Sequence, residues 1–458
     1  MKRDNLMKFK FNQFGYIDKG EVELADLTIL CGKNNVGKTY ISYATYGFFK
    51  KLQRLAEFHI EKHQMVELRE NGVIQIDLLG LSERIQSCFK SASDNFTSGL
   101  EGFFNAPDDY FHNTKIEFVC DNFKPDFSLV FKKVINFGKH GILRCDKAEN
   151  TDKLDIALQT STGSRISLGI LSDVIAEQIA TCLFAGQLPL PFVITSERTG
   201  IALFYKELDI SKNAILEHLS DNDKVNPIEL LNSMRSRYAE PIKDNIDVIR
   251  DYENVSKRKS FLKEDKEKYQ GVFDILQELL GGAFKSIDKQ VFFQPKKERG
   301  REKIVVPVYI ASSSTKSLFL FDYYVNCLAE KNGLLIIDEP ELNLHPDNQR
   351  IMARFLARLV NSGIKIIVTT HSDYLIRELN NCIMFSNEIK NKSELMKKQG
   401  FIEHDILKPE QISAYNIGSG HAITRVNVDR FGINMAIFDE LIANSNQAAD
   451  DIYYRIEE

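Results

Sequence analysis

The strongest constraint on the fold is a glycine-rich loop, GKNNVGKT at residues 32–39, which lies between an apolar strand, LTILC, and a helix, YISYATYGFFKKLQRL. In this context the pattern G-x-x-x-x-G-K-[ST] predicts a phosphate-binding loop rather than a chance glycine-rich turn. Loop N–H groups and the helix dipole bind phosphate, the lysine contacts the β- and γ-phosphates, and the hydroxyl coordinates Mg²⁺. The predicted ATP-binding residues are Gly32, Asn34, Asn35, Gly37, Lys38 and Thr39. Among them we expect Lys38 to act in catalysis and Thr39 to bind Mg²⁺.

Two adjacent acids end a second apolar run, LLIIDEPELNLHP at residues 334–346. A parallel sheet presents side chains to a ligand at the carboxyl ends of its strands. We therefore expect Asp338 to hold Mg²⁺ and Glu339 to activate the attacking water as the catalytic base. For Glu341 we expect only a cap on the helix that starts near Pro346.

A histidine ends a further apolar strand, IIVTTHS at residues 366–372. A lone histidine after a strand is usually structural. Strand order should place this strand beside the one that ends at Asp338, and this favours a catalytic contact between His371 and the γ-phosphate.

A run of hydroxyl residues opens a helix in the segment YIASSSTKSL, at residues 309–318. By itself such a run is a good helix N-cap. Because it lies about twenty residues before the acidic strand, we expect its free N–H groups and hydroxyls to bind the nucleotide as well. The candidates are Ser312, Ser313 and Ser314.

Composition and charge narrow the class of protein. The length of 458 residues exceeds what one hydrophobic core supports, so several packed lobes are expected. The formal net charge of −5 gives no global attraction to nucleic acid or to an anionic membrane. The first residues lack the apolar core of a signal peptide, and nowhere do about 18 apolar residues run without a charge. We expect a cytoplasmic protein that has no membrane partner.

Short apolar strands that alternate with helices predict an α/β fold with a mostly parallel sheet. Residues 115–170 alternate as in an antiparallel sheet, with KIEFVC, FSLVF and KLDIALQ as its strands, whereas residues 210–285 are mainly polar and helical. We predict an N-terminal part with an antiparallel β region at 1–208, a helical insertion lobe at 209–287, and a C-terminal part at 288–458.

Together these segments resemble the ABC-type ATPase superfamily, in the branch of SMC, Rad50, RecF and overcoming-lysogenization-type ATPases. GKNNVGKT resembles its phosphate loop, LLIIDEPELNLHP its Walker B strand, TTHS its switch histidine, and ASSSTKS its signature segment. Ser314 stands where the signature usually carries a glycine. DEPELNLHP, ITSERTG at residues 194–200 and the closing YNIGSGHAITRVNVDRFGINMAIFDELI are most similar to ATPase subunits of bacterial anti-phage systems, the AriA ATPases of PARIS first and the Septu ATPases second.

The resemblance implies the head of a P-loop ABC-type ATPase that hydrolyses ATP with Mg²⁺ and works as a homo-oligomer. ATP would lie between two heads, so that Ser312 of one chain reaches the nucleotide on Lys38 of another. It also implies a sensor that responds to a phage-encoded trigger and controls a separate effector. The 87 residues after His371 contain no D-x-D pair that follows an apolar strand, so we assign no nuclease to this chain. We expect the separate effector to be a Toprim-type nuclease.

The alternative is a DNA-repair or DNA-tethering ATPase that binds DNA directly. The segment KKERGREK at residues 296–303 is the compact basic run that could support DNA binding. Such runs are usually solvated surface, so we place this alternative second.

Overall fold

The computed structural model describes residues 6–160, 166–204, 238–287, 290–296, 304–418, 420–434 and 436–455. In chain order the strands are β1 (Leu6–Phe14), β2 (Ile17–Glu23), β3 (Leu27–Gly32), β4 (Val73–Asp77), β5 (Lys115–Asp121), β6 (Phe131–Asn136), β7 (Gly141–Lys147), β8 (Lys153–Thr160), β9 (Leu190–Ile194), β10 (Gly282–Ile287), β11 (Gln290–Pro295), β12 (Val306–Pro307), β13 (Gly333–Asp338), β14 (Lys365–Thr370), β15 (Ile412–Ile417), β16 (Ile423–Val426), β17 (Val428–Asp429) and β18 (Gly432–Ile433).

The described α-helices are α1 (Lys38–Leu55), α2 (Lys62–Asn71), α3 (Leu78–Ser82), α4 (Ile85–Ser98), α5 (Leu100–Phe104), α6 (Leu168–Phe184), α7 (Arg198–Phe204), α8 (Glu240–Arg250), α9 (Tyr252–Val255), α10 (Phe261–Glu264), α11 (Gln270–Leu280), α12 (Ser313–Tyr323), α13 (Pro346–Asn361), α14 (Asp373–Met384), α15 (Lys392–Gln399) and α16 (Ala436–Tyr453). Within the described residues, no helix has the length and apolar character that a membrane crossing requires.

The central sheet has six strands in the order β16–β15–β3–β14–β13–β9. The five strands from β15 to β9 are parallel, and only β16 runs antiparallel, at one edge. Every residue of β3 and β13 is buried, as expected for strands covered by helices on both faces. The predicted mostly parallel sheet is confirmed, and β14 pairs with β13 as the sequence predicted.

Within the described residues, four smaller sheets are antiparallel, in the orders β2–β1–β5, β4–β8–β7–β6, β10–β11–β12 and β17–β18. The antiparallel character of residues 115–170 is therefore confirmed, but its strands divide between two sheets because β5 pairs with β1. The predicted strand FSLVF is mostly wrong, since β6 begins only at Phe131. The preceding residues turn because the Asp126 carboxylate accepts hydrogen bonds from the Ser128 backbone N–H and hydroxyl.

Two hydrophobic clusters lie on the two sides of the central sheet. One is rich in aromatic rings and joins α1 to the antiparallel strands, with Phe9, Phe48 and Phe118 in mutual contact. The other contains the opposite face of β13 together with α11 and α13. The described helices of the predicted insertion lobe, α8 to α11, contribute to this second cluster. The predicted domain boundaries stay a prediction, and residues 205–237 of the chain lie outside the described residues.

Candidate ATP-binding and hydrolysis site

The phosphate loop leaves β3 in a conformation that requires its two glycines. Gly32 has φ 149° and Gly37 has φ 98°, both in the region that favours glycine. A Cβ on Gly32 would also stand 2.4 Å from the carbonyl oxygen of Ile417, at the end of the neighbouring strand β15. Asn34 and Asn35 form the exposed tip of the loop, where Asn35 is left-handed with φ 62°.

Lys38 is the first residue of α1, and its side chain folds back over the loop. Its ammonium donates hydrogen bonds to the carbonyl oxygens of Gly32 at 3.0 Å and Lys33 at 2.8 Å. Burial lowers the pKa of Lys38, while the charges of Glu339 and Asp338 oppose that shift. The cation is thus held at the loop by neutral acceptors that phosphate oxygens can replace.

The two predicted Mg²⁺ ligands are in direct contact. Thr39 Oγ1 donates to the Asp338 carboxylate, at 3.2 Å from Oδ1 and 3.1 Å from Oδ2, and the Thr369 hydroxyl donates to Oδ1 as well. Burial raises the pKa of Asp338, and the bond from Thr369 counteracts this shift. A hydroxyl beside a carboxylate is a set of hard oxygen donors, so these residues fit Mg²⁺.

Glu339 and His371 also lie together at this edge of the sheet. The Glu339 N–H donates to the Thr369 carbonyl and to its hydroxyl oxygen, both at 3.1 Å, and Glu339 adopts φ 50°. His371 Nδ1 lies 3.5 Å from Glu339 Oε1. The structure brings the predicted base and the predicted γ-phosphate contact together, and their individual roles stay a prediction.

The expectation that Glu341 caps the helix near Pro346 is wrong. The cap of α13 is His345, whose ring nitrogen accepts from the N–H of Asp347. Glu341 points instead into the sheet edge, where its Oε1 accepts from the Thr370 hydroxyl at 2.7 Å and from the His371 N–H at 3.0 Å. Its other carboxylate oxygen is buried without a hydrogen-bond partner. Glu341 therefore holds the backbone of His371.

The signature segment, residues 311–317, begins α12. Ser312 is its N-cap, and its hydroxyl oxygen accepts from the N–H of Thr315 at 3.1 Å. Ser312 Oγ also lies 3.0 Å from Ser314 Oγ and 2.8 Å from Thr315 Oγ1. Ser312 and Ser313 are exposed. The predicted cap is confirmed, whereas contact of these serines with a nucleotide stays a prediction.

Sequence reasoning missed the role of Arg198, the first residue of α7. It is only 1% exposed, and its side chain donates hydrogen bonds to four main-chain carbonyls. These belong to Thr195 directly after β9, to Ser317 in α12, and to Asp338 and Glu339 at the end of β13. Burial lowers the pKa of Arg198 to about 10, so the guanidinium is charged at neutral pH. The sequence feature that could have indicated this role is the single arginine in ITSERTG, a segment that begins at the last residue of β9.

A second missed feature lies on the outer side of the phosphate loop. The turn between β1 and β2 rests on the loop, with Ile17 Cδ1 3.2 Å from where a Cβ on Gly37 would stand. Beside Ile17, the ring of Tyr16 stacks on that of His421, and Tyr16 is 55% exposed.

The architecture and the site together define a P-loop ATPase head of the ABC type. The family model of the AAA ATPase domain, AAA_15, matches residues 5–376, and the chain belongs to this family. No curated protein matches the chain.

Solved structures with a similar arrangement include SMC head domains. One, from Pyrococcus furiosus, carries an extended coiled coil and is bound to the C-terminal domain of ScpA. Its sequence is 15% identical and its TM-score is 0.35, and the match covers 95% of this chain and 99% of that chain. Another is the SMC head domain from Thermotoga maritima, at 13% identity and a TM-score of 0.31, with 92% and 99% covered.

Proposed function

We propose that the chain is an ATP-driven switch in a bacterial anti-phage defence complex, in which it senses a phage-encoded trigger and controls a separate effector, a Toprim-type nuclease. The proposal of a switch rests on a contrast within one chain. The residues at the phosphate-binding edge are already hydrogen-bonded to each other, whereas the signature segment is exposed. The defence role rests on the resemblance to the AriA ATPases of PARIS, with the Septu ATPases second.

The hydrolytic step follows from the edge of the central sheet. Lys38 and the loop N–H groups bind the phosphates. Thr39 and Asp338 would hold Mg²⁺, which would neutralise negative charge on the phosphate oxygens. Glu339 accepts a proton from the attacking water. His371, which is 3.5 Å from Glu339 through its Nδ1, contacts the γ-phosphate. Asp338 and Lys38 are both buried, and this low exposure strengthens their electrostatic contacts with Mg²⁺ and phosphate.

The second side of the nucleotide comes from another copy of the chain. A phosphate loop covers one side of a triphosphate, and a helix start with free hydroxyls can donate hydrogen bonds to the other. Ser312 and Ser313 are exposed and so are accessible to a partner. We infer a symmetric homodimer, or a larger assembly of such dimers, with ATP at each composite site.

The division of labour with the effector has a direct test. The pure protein should hydrolyse ATP and leave DNA and RNA intact in Mg²⁺ or Mn²⁺. Mixed with the products of neighbouring genes, the wild-type chain should form a complex of defined mass, and the trigger should release nuclease activity from it. The Lys38→Ala chain should still form the complex but fail to release the nuclease. Metal-dependent cleavage by the pure chain would contradict the proposal.

The DNA-tethering alternative predicts a different result from the same preparation. Its basic run at residues 296–303 lies outside the described residues, apart from Lys296. Direct DNA binding would weaken steeply with salt, because each neutralised phosphate releases counterions. Tight, salt-sensitive DNA binding by the isolated chain, with no partner protein retained, would favour this alternative.

A further inference from the structure

Arg198 joins the catalytic edge of the sheet to the signature segment through one side chain. Its Nε donates to the Ser317 carbonyl at 3.1 Å, and Ser317 is the last residue of the signature segment. Its Nη1 donates to the carbonyls of Thr195 at 3.0 Å and Asp338 at 2.8 Å. Its Nη2 donates to the Glu339 carbonyl at 2.6 Å. Four carbonyls from three segments therefore converge on one guanidinium.

Within the described part of the chain, no carboxylate forms a direct ion pair with this buried cation. The carboxylates of Asp338, Glu341 and Glu339 favour the protonated form through their charges, against the larger cost of burial. The guanidinium also lies 5.6 Å from the Phe321 ring of α12. Because the guanidinium is planar and presents its donors in a rigid fork, it fixes the relative positions of the groups that it binds.

The backbone conformation of Glu339 depends on its hydrogen bonds to Arg198 and Thr369. It holds φ 50°, which a residue with a side chain rarely adopts and which persists only where the surroundings impose it. Its N–H is held by Thr369 and its carbonyl by Arg198. With both its N–H and its carbonyl bonded, the backbone position from which its carboxylate projects is fixed by these partners.

We propose that Arg198 is a positioning residue that couples the signature segment to the catalytic carboxylate of Glu339. A displacement of the signature segment, as when it binds the nucleotide of a second chain, moves the Ser317 carbonyl and with it the guanidinium. The guanidinium then shifts the Glu339 carbonyl, so that hydrolysis responds to engagement of the partner. This inference rests on the proposed role of Glu339 as the base.

Lys147 provides a matched control for the loss of a buried cation. It is 2% exposed, and its ammonium donates only to carbonyls, those of Phe127, Leu129 and Ala148. It lies in β7 of the four-stranded antiparallel sheet, outside the catalytic edge. Lys147→Met should therefore lower stability and leave the turnover of the folded protein within about twofold of wild type.

The main test is Arg198→Lys, which keeps a cation but loses the planar fork. We expect kcat to fall about 10- to 100-fold, because a displacement of about 1 Å in a catalytic group can cost 10²-fold. The Kd for a fluorescent ATP analogue should change less than about twofold, since the phosphate loop is untouched. A second variant, Phe321→Leu, removes the ring next to the guanidinium but keeps every hydrogen-bond donor of Arg198. It should lower kcat by a smaller factor, and it tests the same inference if the Arg198→Lys protein does not fold.

A double-mutant cycle separates positioning from general damage. In a Glu339→Gln background, Arg198→Lys should cause no further loss of the residual hydrolysis, because it acts through Glu339. Additive losses, or a normal kcat in both Arg198→Lys and Phe321→Leu, would overturn the inference. If Glu339→Gln alone hydrolyses ATP normally, the proposed base fails instead, and the two failures are thereby distinguished.

Discussion

The phosphate-binding edge and the signature segment differ in how far one chain completes them. At the edge, Lys38 and Asp338 are buried, and Thr39 is hydrogen-bonded to the Asp338 carboxylate. In the signature segment, Ser312 and Ser313 are exposed, and the Ser312 hydroxyl bonds to Ser314 and Thr315 within its own helix start. Groups for chemistry are thus preorganised, whereas groups for recognition stay accessible, and the difference suits a site that a second chain completes.

The largest expected effect lies at the preorganised edge. Glu339→Gln keeps the shape of the side chain but removes the base, so single-turnover hydrolysis should slow by about 10²- to 10⁴-fold. ATP binding, measured by titration with a fluorescent analogue, should stay within about twofold of wild type. Lost affinity with unchanged chemistry would move the catalytic role away from Glu339.

A smaller effect is expected from Glu341, which holds the switch histidine at the same edge. Glu341→Ala removes the acceptor for the Thr370 hydroxyl and the His371 N–H, and should lower kcat by about 10- to 100-fold through displacement of His371. Glu341→Gln retains one carboxamide oxygen for both bonds and serves as the matched control. It should keep most of the activity. Equal losses in the two variants would show that the negative charge matters rather than the hydrogen bonds.

The smallest effect on turnover is expected on the signature side, at Asp322 of α12. Burial raises the pKa of Asp322 from 3.8 to about 7, against the opposing charge of Lys263 and a hydrogen bond from Asn326. Between these values the folded state holds a proton that the unfolded chain has released, so this residue lowers stability as pH rises from about 4 to about 7.

Asp322→Asn removes that dependence. In urea unfolding, the gain in the free energy of unfolding over wild type should grow from pH 4 to pH 7 and then level off, while kcat stays within about twofold. A constant difference across this range would show that Asp322 titrates normally. A large loss of kcat would place this end of α12 in the catalytic machinery and weaken the contrast between the two regions.

The meeting of the phosphate loop and the acidic strand at one edge of the sheet was predictable because its sequence signals are local. A phosphate loop is recognisable from eight consecutive residues. Parallel strands bring their carboxyl ends to one edge of a sheet, so Asp338, Glu339 and His371 were expected to lie close together. Arg198 was not predictable in this way, since its bonds to Ser317 and Glu339 join residues 119 and 141 positions apart. The error at Glu341 has the same origin, because its partners lie on the next strand rather than on the following helix.

The central claim is that the exposed signature segment of one chain completes the phosphate-binding edge of another. Lys38→Ala protein and Ser312→Arg protein should each be inactive in ATP hydrolysis. After subunit exchange, half of the dimers are mixed and each has one intact composite site, so about a quarter of wild-type activity should return for independent sites. A mixture of Lys38→Ala protein with a chain that carries both substitutions should stay inactive. Absence of recovery in the first mixture, with subunit exchange verified by a labelled chain, would contradict the account and place the complete site within one chain.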